Sequence, residues 1–442
     1  MLELSIVAFG VVMLLVLLVV FKMDGFISLI LVSIGVGLLE GMGLTKITTA
    51  IYNGIGGQLK SLILILAFGA MLGKLLEQSG AAQRISSTFI KTFGMKNVQW
   101  AMLLTSFIIG VTMFFEAGFI VMIPIIYTVV AETKLSLLAV GLPAVIGLSI
   151  THGFLPPHPG PASVVIVYGA NMGKTLLYGL IIAIPIAAIL VGIFTKLKYI
   201  EKIKCAAPEG LVSTKVFKEE ELPSFSVSIF SALIPIILMA IGTFADIYMN
   251  KKAPSMEYIH FFSDAPIALM ISVLIGSYTL GTSRGRTLED VMKSLGASVK
   301  PICMILLVIA AGGGFKQVIV DSGVANIIKD MSHGLSVSPI VLAWSIAAGI
   351  RVAVGSATVS VITASGIILP LIADCGVSAE IMVLATSCGS AFTSHVNDAG
   401  FWIYKEYFNL SVIDAIKTRS VYTTLLGILG LLGCLALQAF GL

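Results

Sequence analysis

Long apolar runs joined by short polar stretches dominate the chain. Segments free of Asp, Glu, Lys and Arg extend from Leu4 to Phe21, Asn97 to Phe115, Leu176 to Thr195, Leu222 to Ala245, Ala265 to Ser283 and Val352 to Ala373. A helix needs about 20 apolar residues to cross roughly 30 Å of hydrocarbon, and most of these runs are long enough. The pattern predicts spans at 3–21, 25–43 and 58–77, a helical hairpin at 98–131, a broken span at 136–170 and a span at 176–197. It then predicts spans at 226–247, 265–283 and 299–320, a hairpin at 338–372, a broken span at 380–408 and a last span at 420–441. The segment AAQRISSTFIKTF, 81–93, is amphipathic and is expected to lie along an interface as a connecting arm.

The two series match at an offset of 243 residues: Gly69, Ser79, Gly80 and Ala82 fall on Gly312, Ser322, Gly323 and Ala325. His152 falls on His395, and Lys174 and Thr175 fall on Lys417 and Thr418. Agreement on one offset points to an internal duplication. The organisation expected is a first membrane repeat at 1–198, a linker at 199–224 containing KEEEL, and a second membrane repeat at 225–442. A hairpin that dips in and returns adds no crossing, so each half crosses five times and the halves are inverted. Inverted repeats with broken helices are an architecture in which transporters place substrate at the midplane. Arg84, Lys91 and Lys96 share a side with the linker lysines and with Arg284, Arg286 and Lys293, which the positive-inside rule makes cytoplasmic. Lys46, Lys174, Lys251 and Lys252 fall on the other side.

Composition agrees: 57% of the 442 residues are hydrophobic and 11% charged, against about 25% charged in soluble domains. The first apolar run has no basic flank and no small-residue cleavage site, so it reads as a span and not a signal peptide. The net charge of +4 is spread over loops, which gives nucleic-acid binding no support. Cys205, Cys303, Cys375, Cys388 and Cys434 lack metal-ligand spacing and read as small core residues.

Polar chemistry is concentrated in a few places. In THGFLPPHPGP, Thr151–Pro161, four prolines force the chain to unwind, and His152 and His158 can donate, accept or take a proton. Unwound backbone at membrane depth must be buried in protein or line a wet cavity; the alternative is an extracellular loop between ordinary spans. Its counterpart TSHVNDAGF, Thr393–Phe401, holds Thr393, Ser394, His395, Asn397 and Asp398, which suits a ligand with several hydroxyls, or a water-exposed turn. Glu116 has uncharged flanks from Asn97 and to Ala131. An unpartnered carboxylate at the bilayer centre costs about 2.5–3.5 kcal/mol, and a buried carboxyl can exchange a proton near neutral pH. Glu116 is therefore the first candidate for a proton-coupling group and Asp398 the second, unless Glu116 simply reaches interfacial water. Gly355, Ser356, Ala357 and Thr358 allow a tight hairpin tip whose helix ends offer N–H groups to a carboxylate. Arg351 adds a charge there, or only a structural pair. Gly312–Gly314 lack the phosphate-loop pattern and read as close helix packing. The motifs GxSxG and HExxH are absent.

HGFLPPHPGP at 152–161 and SHVNDAGFW at 394–402 resemble the characteristic segments of the gluconate permease family of bacterial proton symporters, and the resemblance covers essentially the whole chain. It implies an all-α polytopic inner-membrane protein of the ion transporter superfamily, with two inverted repeats, re-entrant hairpins and an elevator movement, often as a homodimer. It implies import of gluconate or a related hydroxy acid with protons, driven by a proton gradient and without a cofactor; D-serine and glycerate remain open as substrates. On that reading N–H groups near Ala117, Gly118, Ser356 and Thr358 hold the substrate carboxylate, while His152, His158, Ser394, His395 and Asn397 meet its polar groups. Glu116 or Asp398 carries the proton. The rivals are a sodium-coupled organic-anion carrier, an intramembrane enzyme using His152, His158 and Asp398, and a passive channel.

Overall fold

Backbone in hydrocarbon has to bond to itself, and the chain does so with helices. The computed structural model describes every residue except 1–5, 7, 8, 11, 15, 204, 206–216, 250–252, 323–336, 373, 374 and 397, and no strand occurs among those described. α1 (Gly25–Leu39) starts where Asp24 accepts from the N–H groups of Phe26 and Ile27. α2 (Leu44–Gln78) is bent by 41° between Lys60 and Leu62, and Gly80, with φ +76°, turns the chain into the amphipathic α3 (Ala81–Phe93).

A hairpin follows, α4 (Val98–Thr112) and α5 (Phe115–Thr133), joined through extended Met113 and Phe114. α6 (Leu137–Phe154) and α7 (Pro159–Tyr168) form the first broken helix, interrupted where Pro156 and Pro157 have no N–H to give, and α8 (Met172–Gly192) ends the half. The second half has α9 (Phe225–Tyr248), α10 (Ser255–Ser263), α11 (Ala265–Gly276), α12 (Leu288–Val299) and α13 (Cys303–Asp321). The hairpin α14 (Pro339–Val354) and α15 (Ala357–Ile372) turns at Gly355, whose φ is +83°. α16 (Ala379–Ser390) and α17 (Ala399–Tyr407) make the second broken helix, and α18 (Val421–Ala439) closes the chain.

Both hairpins and both breaks fall within the segments predicted for them, 98–131, 136–170, 338–372 and 380–408. Three elements differ from expectation. α2 begins at Leu44, not 58, because its polar residues satisfy themselves within the helix: the Thr48 hydroxyl donates back to the Leu44 and Thr45 carbonyls. α10 and α12 were not expected as helices; α12 buries only Val291 and Leu295, a stripe too narrow to register as apolar periodicity. Among the described residues, six helices are long and apolar enough to cross a membrane, and bent α2 makes a seventh, fewer than the ten crossings expected. α1, with 15 residues, falls short of that length, and the predicted span 3–21 lies partly outside the described residues.

Packing divides the bundle. One apolar core unites Leu14, Leu29, Val32, Val36, Ile47, Ile51, Phe315 and Val318 from the N-terminal segment, α1, the first half of α2 and α13, and a larger one runs from the second half of α2 through the hairpins and broken helices. α2 crosses α13 at glycine: a Cβ at Gly54 would collide with the Gly313 carbonyl, and one at Gly313 would lie 2.5 Å from both the Gln58 Cβ and the Gly54 carbonyl oxygen. Gly312 likewise admits Ile362 of α15, so the glycine run serves close packing. The end of the linker is held against α3. Arg84 donates to the Pro223 carbonyl at 2.7 Å and pairs with Glu219 at 2.6 Å, and this hydrogen bond lowers the Glu219 carboxyl pKa from its ordinary value. Cys388 and Cys434 are buried as small core residues, whereas Cys303 is exposed.

Gly313→Val should overpack the α2–α13 crossing and cost about 1–3 kcal/mol or more, read as a lower thermal midpoint of the purified protein. Gly56→Ala, on the same helix but with nothing near its Cβ position, should leave the midpoint unchanged or slightly higher.

Candidate functional site

The two hairpin tips and the two helix breaks meet at a cavity of about 310 Å³, near the lower end of ligand-pocket volumes. Phe115 and Glu116 come from the first turn of α5, and Ser356, Ala357 and Thr358 from the start of α15. First-turn N–H groups of a helix have no intrahelical acceptor and carry the positive end of its dipole, so both tips favour an anion. Ser149, His152 and Gly153 come from the end of α6, Ser394 and Asp398 from the second break, Arg419 from the segment entering α18 and Thr423 from the first turn of α18.

Two buried guanidinium groups dominate the electrostatics: Arg351 is 4% exposed and Arg419 5%. Asp398 Oδ2 accepts from Arg351 Nη2 at 2.6 Å and lies 3.7 Å from Arg419 Nη2. Its Oδ1 caps α17, accepting from the Gly400 N–H at 2.9 Å. Ser394 Oγ donates to Asp398 Oδ2 and accepts from Arg419 Nε at 2.9 Å. Arg351 also donates to the Gly355 carbonyl at its own hairpin tip, and Arg419 donates to the Tyr422 hydroxyl at 3.1 Å. The Arg419 guanidinium stacks on Phe115, 4.5 Å from the ring centroid, which ties the other tip to the same network. Two cations share one carboxylate, and two polar atoms of cavity-lining residues, the donor Arg351 Nε and the ring nitrogen His152 Nδ1, are buried with no hydrogen-bond partner among the described residues.

Of the residues singled out from sequence, His152, Ser356, Thr358, Ser394, Glu116 and Asp398 line the cavity. Four others do not. His158, the residue before α7, turns to the Gly110 carbonyl of α4 at 2.5 Å. His395 donates to the Val352 carbonyl of α14 at 2.9 Å, so each break fastens its own hairpin through an imidazole. Gly118 packs against Leu148 of α6, and Ala117 is exposed away from the cavity lining. Asn397 lies outside the described residues. Glu116 is exposed and contributes to the cavity wall. Arg419 was missed. Its signal was a cation immediately before an apolar run, which reads as an interfacial anchor. A larger cavity, about 680 Å³, lies between α3 and α5, but its acids Glu77 and Glu219 are paired with Lys74 and Arg84, and neither Lys91 nor Arg286 is buried.

An apolar helical bundle with several helices long enough to cross a membrane is a multi-pass membrane protein, and the family it belongs to makes it a transporter. The sequence matches the family described as GntP family permease over residues 2–440, and the chain belongs to that family. It is 49% identical over 436 residues to the high-affinity gluconate transporter of Escherichia coli (strain K12), covering 98% of this chain and 99% of that relative. It is 48% identical over 436 residues to the Gnt-II system L-idonate transporter of the same strain, covering 99% of each. The crystal structure of the Alcanivorax borkumensis YdaH transporter has the same fold, with a TM-score of 0.66 at 16% identity over 90% of this chain and 89% of that one.

Asp398→Ala removes the counter-charge of two buried guanidiniums and the cap of α17. It should cost about 3–5 kcal/mol, seen as a lower thermal midpoint in detergent. A variant as stable as the parent would mean the guanidiniums are neutralised elsewhere.

Proposed function

We propose that this permease imports gluconate, or a closely related sugar acid, across the inner membrane by proton symport. The observation that carries the reading is the guanidinium pair of Arg351 and Arg419, which share the single carboxylate of Asp398 beside two helix N-termini. A substrate carboxylate fits between the guanidiniums and the N–H groups of the α15 tip, where charge-assisted bonds are strongest. Its hydroxyls fit His152, Ser394, Ser356 and Thr358, which offer donors and acceptors on the remaining wall. The coupled proton sits on one of the cavity carboxyls, Glu116 or Asp398.

The matching order of hairpin and broken helix in each half supports two inverted repeats, 1–198 and 225–442, joined by the 199–224 linker. The apolar core shared by α1, the first half of α2 and α13 supports a scaffold, against which the hairpins and broken helices slide as an elevator in a homodimer. The L-idonate transporter at 48% identity supports a second reading in which another sugar acid is preferred at the same site.

The deciding experiment is uptake of labelled gluconate into proteoliposomes under an inward proton gradient, with L-idonate, D-serine and glycerate as competitors. Accumulation collapsed by an uncoupler is expected. Uptake that requires sodium and ignores the proton gradient would replace the coupling ion, uptake that never passes equilibrium would favour a channel, and competition by D-serine alone would replace the substrate. Arg419→Lys keeps the charge but loses the fork that reaches Ser394 and Tyr422 and the stack on Phe115. It should raise the KM for gluconate about tenfold or more in folded protein; an unchanged KM removes Arg419 from substrate binding.

A further inference from the structure

We propose that Asp398 is an internal stand-in for the substrate carboxylate: it occupies the guanidinium pair of Arg351 and Arg419 in the empty cavity and yields it by taking a proton. The proposal rests on the sugar-acid symport reading above and selects the residue and the means of coupling.

The two oxygens of Asp398 have different duties. Oδ1 accepts from the Gly400 N–H and holds the start of α17, whereas Oδ2 is the oxygen shared by Arg351 Nη2, the Ser394 hydroxyl and, at 3.7 Å, Arg419 Nη2. A proton on Oδ2 turns an acceptor surrounded by donors into a donor itself. The contacts with both guanidiniums are then lost, while the cap through Oδ1 persists. The Ser394 hydroxyl, which already accepts from Arg419 Nε, can rotate to accept from the new O–H. Arg351 keeps its bond to the Gly355 carbonyl, and its Nε, buried without a partner, gains an acceptor only when a ligand oxygen enters.

Charge counting gives the coupling. Arg351, Arg419 and ionised Asp398 together carry +1; with Asp398 protonated and a substrate carboxylate bound, the sum is again +1. With Asp398 protonated and no substrate bound, the site would carry +2 on guanidiniums only 4% and 5% exposed, and the loaded ionised site would set two carboxylates against one guanidinium pair. Both uncoupled states are disfavoured, so anion and proton move as a neutral pair. The other titratable groups facing this site are His152 at the end of α6, Glu116 in the first turn of α5, Tyr404 on α17, whose ring lies 5.9 Å from the Arg419 guanidinium, Tyr422 on α18 and His395 in the same break as Asp398. His395 is engaged with the Val352 carbonyl. Glu116 faces the cavity, makes no ion pair among the described residues and touches neither guanidinium, so protonating it frees no site for an anion.

The test is gluconate binding to the purified full chain, followed calorimetrically in buffers of different ionisation enthalpy. The unsubstituted protein should take up one proton per gluconate once Asp398 is ionised, with Kd rising about tenfold per pH unit in that range. Asp398→Asn keeps the cap of α17 through its amide oxygen and mimics the protonated acid. It should bind gluconate with no proton uptake and no pH slope, and in proteoliposomes should exchange gluconate without proton-driven accumulation. Because that variant leaves two guanidiniums without their carboxylate, an infrared difference spectrum of the unsubstituted protein supplies a second readout. Gluconate should convert one carboxylate band to a protonated-carboxyl band, and that band should persist in Glu116→Gln. Gluconate binding without proton uptake, a wild-type pH slope in Asp398→Asn, or loss of the infrared band in Glu116→Gln would each overturn the exchange while leaving the sugar-acid reading intact. No binding of gluconate or L-idonate at any pH would overturn that reading, and the exchange with it.

Discussion

Two guanidinium groups inside an apolar bundle have to be neutralised where they stand, because a desolvated, unpaired charge costs several kcal/mol. Asp398 meets both, and in doing so joins four parts of the chain that are distant in sequence. Arg351 belongs to one hairpin, Asp398 and Ser394 to the second helix break, and Arg419 to the segment entering α18, while the stack on Phe115 brings in the other hairpin. Substitution at any one of them leaves charge or donors unpaired in the rest.

The backbone around that network is unwound for a reason. Helix ends present N–H groups or carbonyls that a continuous helix would consume internally, and such ends are tolerated at membrane depth only around a cavity or beside a partner. Here both kinds of partner occur. The tips of α5 and α15 face the cavity, whereas the carbonyls of Gly110 and Val352, near the ends of α4 and α14, are taken by His158 and His395. Glycine at the α2–α13 crossing lets two helices approach to backbone contact, where α13, α1 and the first half of α2 share an apolar core while the second half of α2 joins that of the hairpins and broken helices.

Much of this was legible beforehand, and the reasons differ by residue. The first break was visible because proline lacks an N–H, the second hairpin because small residues such as Gly355 and Ser356 permit a tight turn, and the other two as interrupted apolar runs. Ser394 and Asp398 were visible as a cluster of polar groups too dense for an apolar run. Arg419 was not, since an arginine before a span ordinarily snorkels to the interface, and nothing local distinguishes it from Lys417 beside it. His152 and His158 looked equivalent within one motif. Their separation followed from helical phase: His152 is in the last turn of α6 on its cavity side, while His158 precedes α7 and turns to the hairpin behind it. α12 escaped notice because a helix that buries two residues has almost no apolar period.

Taken alone, the amino-acid sequence determined that this chain lives in a membrane, where its helices break and turn, that its two halves share an order, and which permease family it resembles. These are properties of hydrophobic runs, imino nitrogens and short motifs, all of which act over a few neighbouring residues. Only the tertiary structure decided which polar groups meet: that Arg351 and Arg419 converge on one carboxylate, that Glu116 stays in contact with the cavity, and that His158 and His395 are spent on holding the hairpins. Electrostatic pairing depends on distance in space, and helices carry residues hundreds of positions apart to within a hydrogen bond of each other without leaving any local trace of where they will meet.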